Sequence, residues 1–262
     1  MIVCHSHRFI FIKPRKVAGT KIELKLSNFL NSGDLATSIE PEEEHLRVSR
    51  PGVKIGPIIN KNRLGIQKRL RDHSTLQKAY SMLDEKVQNY LVVSASRNPW
   101  DRAVSQFFWS NRKKNILTRD LKFQKREFNK FTRFYGPKKW IDIFYGRKRQ
   151  RRLNSSHLYS INNNIAANFI IRFEHLEEDF LALTRMLNLP KYRAPEKFNT
   201  KSSFRSTESK KWQKFYETDT IELVRKCCAE EIFYFNYNFE GTSNPIGQNL
   251  TFPTNHILSK RS

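Results

Sequence analysis

Cysteine is scarce: the 262 residues hold three, Cys4, Cys227 and Cys228. The count is odd and two of them are adjacent, a pair that cannot easily bridge, which argues against a disulfide framework and fits a reducing compartment. Long apolar runs are lacking as well. The longest are short ones such as Phe9 to Ile12, far below the roughly 18 to 20 residues of a membrane span. Arg8 is followed by only four apolar residues before Lys13, which is not the pattern of a secretory leader. A soluble, cytoplasmic protein is therefore expected. No internal repeat is visible, and neither the histidines nor the cysteines stand at metal-ligand spacing. Acidic residues are the last shortage, with 25 Asp and Glu against 48 Lys and Arg, a formal charge of +23. That is far more than solubility requires and implies a polyanionic ligand or partner. Nucleic acid, an anionic membrane face, or a phosphorylated or sulfated small molecule or glycan would serve.

What is present is enough for one sizeable folded domain, with 38% apolar and 13% aromatic residues. Arg8-Phe-Ile-Phe-Ile-Lys13 suits a strand buried on both faces. The loop Pro14 to Thr20 follows, then Lys21 to Leu30, where Ile22, Leu26, Phe29 and Leu30 recur at helical spacing. Residues 31–63, with Gly33, Pro41, Gly52, Gly56 and Pro57 and little periodicity, read as a long surface excursion. Helical spacing resumes near Ser74 to Leu83, and Tyr90 to Ala95 is a second buried strand. It ends at Arg97-Asn-Pro-Trp100, where Pro99 opens a helix running to about Trp109. Residues 111–152 are dense in Lys, Arg and aromatics and include Gly146-Arg-Lys-Arg-Gln-Arg-Arg152. Asn168 to Glu174 is a third strand, His175 to Leu187 a helix, and 208–233 a further helical stretch before a polar tail from 241. Strands separated by helices predict an α/β fold with a central, mainly parallel sheet, as one domain over 1–240 with the tail 241–262.

A loop between a buried strand and a helix N-terminus is an anion site, because free amides and the helix dipole both favour negative charge. Here the loop adds Arg15, Lys16 and Thr20. The nucleotide-triphosphatase pattern places its lysine after the second glycine, followed by a hydroxyl for magnesium. In this loop the lysine precedes Gly19 by three residues and the order is Gly19-Thr20-Lys21, a poor match. The second junction, Arg97-Asn-Pro-Trp-Asp-Arg-Ala-Val-Ser105, puts Arg97 at a strand's C-terminal edge and Ser105 one to two turns into the next helix. Open α/β sheets bind ligands at that edge.

These segments resemble the sulfotransferases that use 3′-phosphoadenosine-5′-phosphosulfate (PAPS), particularly the branch with glycan-modifying and bacterial enzymes. Arg15-Lys-Val-Ala-Gly-Thr-Lys21 is similar to that family's 5′-phosphosulfate loop, Pro-Lys-Thr-x-Gly-Thr-Ser, in its lysine, glycine and second threonine. Arg97 to Ser105 matches the family's 3′-phosphate pattern Arg-x-Pro-x-x-Arg-x-x-Ser in full. Ile171 to Phe180 resembles its Arg-Phe-Glu-x-Leu segment. Asn199 to Arg205, with Tyr216 and Phe235 to Phe239, resembles its C-terminal loop and closing helix. Together these cover most of 8–240. Two departures stand out: Val17 takes the place of the usual threonine, and Lys21 that of the usual serine, whose phosphate contact an ammonium could replace as a point charge.

The resemblance implies a P-loop-like three-layer fold and an in-line attack of an acceptor hydroxyl, on a carbohydrate, at sulfur. Catalysis then rests on positioning and charge stabilisation without a metal. Lys16 is expected on the bridging oxygen and leaving phosphate. Gly19 would let the backbone approach the donor, and Thr20 would donate its hydroxyl and amide to it. Arg15, Ala18 and Lys21 complete that loop's contacts, and Arg97 and Ser105 take the 3′-phosphate. Arg172, Lys201, Ser202 and Arg205 are expected to close over the donor. For the base, histidine suits neutral pH, and of the seven present His73 stands where the resembling bacterial enzymes carry theirs, in Arg71-Asp-His-Ser-Thr75. Glu23 and Glu174 are weaker candidates. The principal rival is a basic nucleic-acid-binding protein without catalysis, suggested by Phe and Tyr interleaved with Lys and Arg over Phe107 to Tyr145. A nucleotide kinase lacks its magnesium ligands and loop lysine, and an inactive, lectin-like relative is a third reading.

Overall fold

The structure, a computed structural model, describes residues 1–48, 50–61, 67–136, 150–190 and 211–241. The chain divides into two compact units. The described residues of the first are drawn from 1–95 and 157–190, those of the second from 96–156 and 211–241.

The first unit is built on a six-stranded sheet. Its strands are β1 (Ile2–Cys4), β2 (Phe9–Phe11), β3 (Leu35–Ala36), β4 (Lys54–Ile55), β7 (Leu91–Ser96) and β10 (Phe169–Arg172), in the order β10-β7-β2-β1-β3-β4. The apolar runs predicted as strands fall here because both faces are covered, so no polar alternation is needed. β2 lies parallel to β7, with Ile10 opposite Val92, and β3 lies parallel to β4. β10 starts beside β7 through Asn168, whose amide donates to Val92 O (2.7 Å) while its side-chain oxygen accepts from Val92 N (2.8 Å). β1 is the correction to the expected sheet: unrecognised in the sequence, it runs antiparallel to both β2 and β3. The architecture is thus mixed α/β with a central, mostly parallel sheet flanked by helices.

Helices α1 (Gly19–Ser27) and α6 (Leu176–Met186) bring Ile22, Leu26, Phe180 and Leu183 against Phe9, Phe11, Val93 and Phe169, all buried. Each such side chain contributes about 1.5 to 3 kcal/mol on burial. Residues 31–63, expected as a surface excursion, instead supply β3, α2 (Pro41–Glu44), β4 and β5 (Ile58–Lys61), the last paired with β6 (Gln67–Leu70). Their packing is polar. Asp34 accepts from His5 N (2.6 Å), Ser6 N (3.1 Å) and Asn31 N (2.8 Å), pinning the β1–β2 turn. Buried Arg47 donates to Ser27 Oγ and Thr37 O, both at 3.1 Å. A short helix, α3 (Leu76–Tyr80), and the pair β8 (Ser160–Ile161) and β9 (Asn164–Ile165) complete the unit.

In the second unit the described elements are helical: α4 (Pro99–Ser110), α5 (Leu121–Tyr135), α7 (Thr218–Cys227) and α8 (Ala229–Phe235). Asn98 caps α4, its side-chain oxygen accepting from Trp100 N at 3.1 Å, with Pro99 in the first turn as predicted. The interior is aromatic. Phe128 meets Phe107 (5.6 Å between centroids) and Tyr216 (4.8 Å), and Phe108 meets Phe215 (5.6 Å), all edge to face. Trp100 meets Phe239 at 5.8 Å, so the predicted closing segment does pack within this unit. Most of the Gly146–Arg152 run, and all of Asn199–Arg205, lie outside the described residues.

Candidate active site

The predicted anion loop is the connection from β2 to α1. Ile12 N still bonds to Val93 O (2.9 Å), and the chain then leaves the sheet. Lys16 (φ 61°) and Ala18 (φ 58°) are both left-handed, a conformation costing roughly 1 to 2 kcal/mol per residue without glycine. Strain of this kind gathers at ligand sites. Ala18 is the residue before α1, and no side chain caps the helix's first amides, so they remain as donors for an anion. Arg15 is exposed, Lys16 and Ala18 half-buried, Gly19 and Thr20 buried. A Cβ on Gly19 would stand 2.6 Å from Lys13 Cγ. Glycine is required there because the Lys13 stem crosses it.

The two departures from the family loop acquire physical reasons. Val17 points into the apolar core, where a threonine hydroxyl would be unsatisfied. Lys21 does not reach back to the loop: its ammonium pairs with Glu177 of α6 at 2.9 Å, as does that of Lys25. As a contact replacing the family serine, Lys21 is already engaged elsewhere.

His73 lies beside this loop. Its Nδ1 is 2.8 Å from Lys13 O, a carbonyl that can only accept, so Nδ1 carries the hydrogen and Nε2 keeps the lone pair when the ring is neutral. Burial holds the His73 pKa below its ordinary value; Asp72 and the bond to the Lys13 carbonyl oppose it, and the charges of Lys13 and Arg15 add to it. The imidazole is therefore neutral at pH 7 and free to accept a proton at Nε2. It does not cap α3 as a surface histidine would; Thr75 does, accepting from Lys78 N at 3.1 Å.

Behind the loop stands a charge cluster that the sequence did not reveal. Lys13, buried, places Nζ 2.7 Å from Glu23 and 3.0 Å from Asp72. The Met1 amino group also pairs with Glu23, and donates to Thr37 Oγ1 at 2.8 Å. Burial works against the Lys13 charge, but Glu23 and Asp72 outweigh it and hold the ammonium above its ordinary pKa. Glu23, wholly buried and doubly paired, is a counter-ion and not a base. Glu174 is exposed. Arg172 is bound to Asp179 through Nε (2.8 Å) and Nη2 (2.6 Å), an ion pair inside the unit.

The second predicted anion segment belongs to the other unit. Arg97, 7% exposed, forks onto Asp101 through Nε (2.7 Å) and Nη2 (2.6 Å). Ser105 is buried two turns further along α4. The second arginine of the pattern has a different duty: Arg102 donates to Glu231 Oε1 and Leu153 O, both at 2.7 Å, and is buried. Lys201, Ser202 and Arg205 lie outside the described residues. Among the described residues no helix is long and apolar enough to cross a membrane, and no group of three His, Cys, Asp or Glu side chains is placed to hold a metal ion.

The structure thus brings Lys16, Ala18, Gly19, Thr20 and His73 into one unit around Lys13, and keeps Arg97 and Ser105 together in the other. Lys13 and Asp72 are the residues sequence reasoning missed. The one signal was the Asp72-His73 pair itself. Compared with known proteins, the chain matches a family model described as "Sulfotransferase family" over residues 1–239. No curated protein and no solved structure matches it.

Proposed function

The chain belongs to the sulfotransferase family and is a transferase of sulfonate groups, and from that premise we propose that its donor is PAPS and its acceptor a hydroxyl on a carbohydrate. The observation that carries this reading is His73, kept neutral with its Nδ1–H on Lys13 O, beside a strained loop that leads into an uncapped helix. That arrangement offers a base and an anion cradle together. The loop is P-loop-like in form, with its lysine before the glycine.

In the proposed reaction the acceptor O–H gives its proton to His73 Nε2 as the oxygen bonds to sulfur. The bond from sulfur to the bridging oxygen breaks, and its electron pair leaves with the phosphate of 3′-phosphoadenosine-5′-phosphate (PAP). Lys16 takes up that developing charge, while the amides of α1 and the Thr20 hydroxyl hold donor oxygens. Arg97 and Ser105 supply the 3′-phosphate contacts. In that role Arg97 would share its fork between Asp101 and the nucleotide.

Part of the aromatic stretch behind the nucleic-acid reading is engaged within the second unit, although Phe134 is 51% exposed. Phe107 and Phe128 are core residues, Phe123 lies under Arg119 (4.6 Å) and Arg126 (5.0 Å), and Trp109 lies under Arg112 (4.0 Å). Bases that stack on single-strand binding proteins need open aromatic faces.

Transfer of radiolabelled sulfonate from PAPS to a panel of polysaccharides tests the proposal. Label is expected on at least one hydroxyl-bearing polymer, and His73→Ala should lower the rate about 10²- to 10⁴-fold, the range for removing a general base. Equal transfer by the variant would remove His73 from the mechanism.

A further inference from the structure

We propose that Lys13 is a positioning residue that sets the donor loop and the catalytic base as one rigid assembly, with Asp72 as its electrostatic partner. This rests on the reading of His73 as the base and extends it. Three parts of the same residue are engaged at once. Its carbonyl fixes the His73 tautomer (Nδ1 to O, 2.8 Å). Its stem lies on Gly19, so closely that only a glycine fits at the start of α1. Its ammonium bridges Glu23 of α1 and Asp72, the residue before the histidine (2.7 and 3.0 Å).

The charges are arranged so that the base stays usable. Asp72 Oδ2 is 3.7 Å from His73 Nε2, close enough to favour the imidazolium, and a ring that is already protonated cannot take the acceptor's proton. Lys13 Nζ (3.0 Å) and the Met1 amino group (3.5 Å) share that carboxylate's charge, Lys13 on the oxygen nearer the ring. The charged groups facing His73 are Asp72, Lys13 and Arg15, of which only Asp72 favours the protonated ring. The bridge therefore does two things: it screens the base from its own neighbour, and it ties the base to the helix that opens the donor site. Burying a lysine between two carboxylates solely for stability is a poor exchange, since an apolar replacement of a buried ion pair is often as stable.

The test uses the full chain and reads His73 directly. The histidine Cε1–H signal is followed by NMR across pH in the wild type, Lys13→Met and Asp72→Asn, beside the kcat/KM profile for sulfonate transfer. Methionine keeps the stem over Gly19 and removes only the charge. Lys13→Met is expected to move the His73 titration to higher pH and Asp72→Asn to lower pH. On the acid side of the profile the first should lose about tenfold in kcat/KM, from the usual effect of an unmasked carboxylate at this range, and recover on the alkaline plateau; Lys13→Arg should restore much of it. Asp72→Asn removes a half-exposed group and keeps the question open to measurement if Lys13→Met does not fold. Titrations of His73 that stay put in whichever of these variants fold would overturn the proposal and leave Lys13 a structural ion-pair partner. Titrations that move while the kcat/KM profile does not would support the coupling and refute instead the assignment of His73 as the base.

Discussion

Lys16→Gly is expected to lower kcat about 10²- to 10³-fold while leaving the melting temperature within a few degrees of the wild type. The activity term follows from removing one preorganised cation from the leaving phosphate, a contact of about 3 to 4 kcal/mol in the transition state. The stability term follows from the backbone. Lys16 sits at φ 61° and is half-buried, so glycine relieves about 1 to 2 kcal/mol of left-handed strain. Against this the freer unfolded chain costs about 0.4 to 1 kcal/mol. Most loop substitutions confound folding with function; here the backbone's own conformation separates them. Steady-state kinetics with thermal unfolding of the same preparation checks both parts. A variant that keeps its rate would show that Lys16 takes no part in the transfer.

Arg102→Leu is expected to destabilise the second unit by about 3 to 5 kcal/mol, the cost of leaving a buried carboxylate uncompensated. Glu231 is fully buried, and its neighbour Cys228 is a neutral thiol, burial pushing its pKa well up. Leu153 O and the Ser155 amide belong to the same knot. Pairing the change with Glu231→Leu should recover most of the loss, because replacing both partners by apolar groups removes the orphaned charge. Urea unfolding followed by tryptophan fluorescence would read it, Trp100 and Trp212 both lying in this unit. The contrast with Arg97 matters for function: of two arginines of one motif, five residues apart in sequence, Arg102 serves the fold and Arg97 is the one proposed to meet the ligand.

Elements built on apolar runs were legible in the sequence. Phe9–Phe11 and Leu91–Ser96 are covered on both faces, and Pro99 marked the start of α4. What escaped was held by polar or distant contacts. β1 is three residues long and has meaning only through β2 and β3. Residues 31–63 gain their place through Asp34 and Arg47, which no periodicity announces. α5 was hidden because its inward face mixes Phe128 with Gln124, Asn129 and Thr132. Asn129 is buried to bond Phe215 O and Thr220 Oγ1 (2.8 and 2.5 Å), a requirement set by other elements. At the candidate site, Lys16, Gly19, Thr20 and His73 were expected from the resemblance, and the structure places them in one unit. Lys13 and Asp72 were not, since residues sixty apart meet there only once the sheet has formed.

Thermal unfolding of the full chain with PAP, against ADP and against ATP with magnesium, tests the donor assignment most directly. PAP and ADP both carry an adenosine and two phosphates, but only PAP has the 3′-phosphate that Arg97 and Ser105 are proposed to hold. A ligand at about 100 times its Kd adds about 2.7 kcal/mol of stability, which shows as a clear rise in melting temperature. PAP is expected to give that rise and ADP little of it, with Arg97→Ala erasing the difference. If PAP leaves the transition where it was, while single-stranded RNA raises it steeply as salt is lowered, the chain does not use PAPS and its charge serves a nucleic acid.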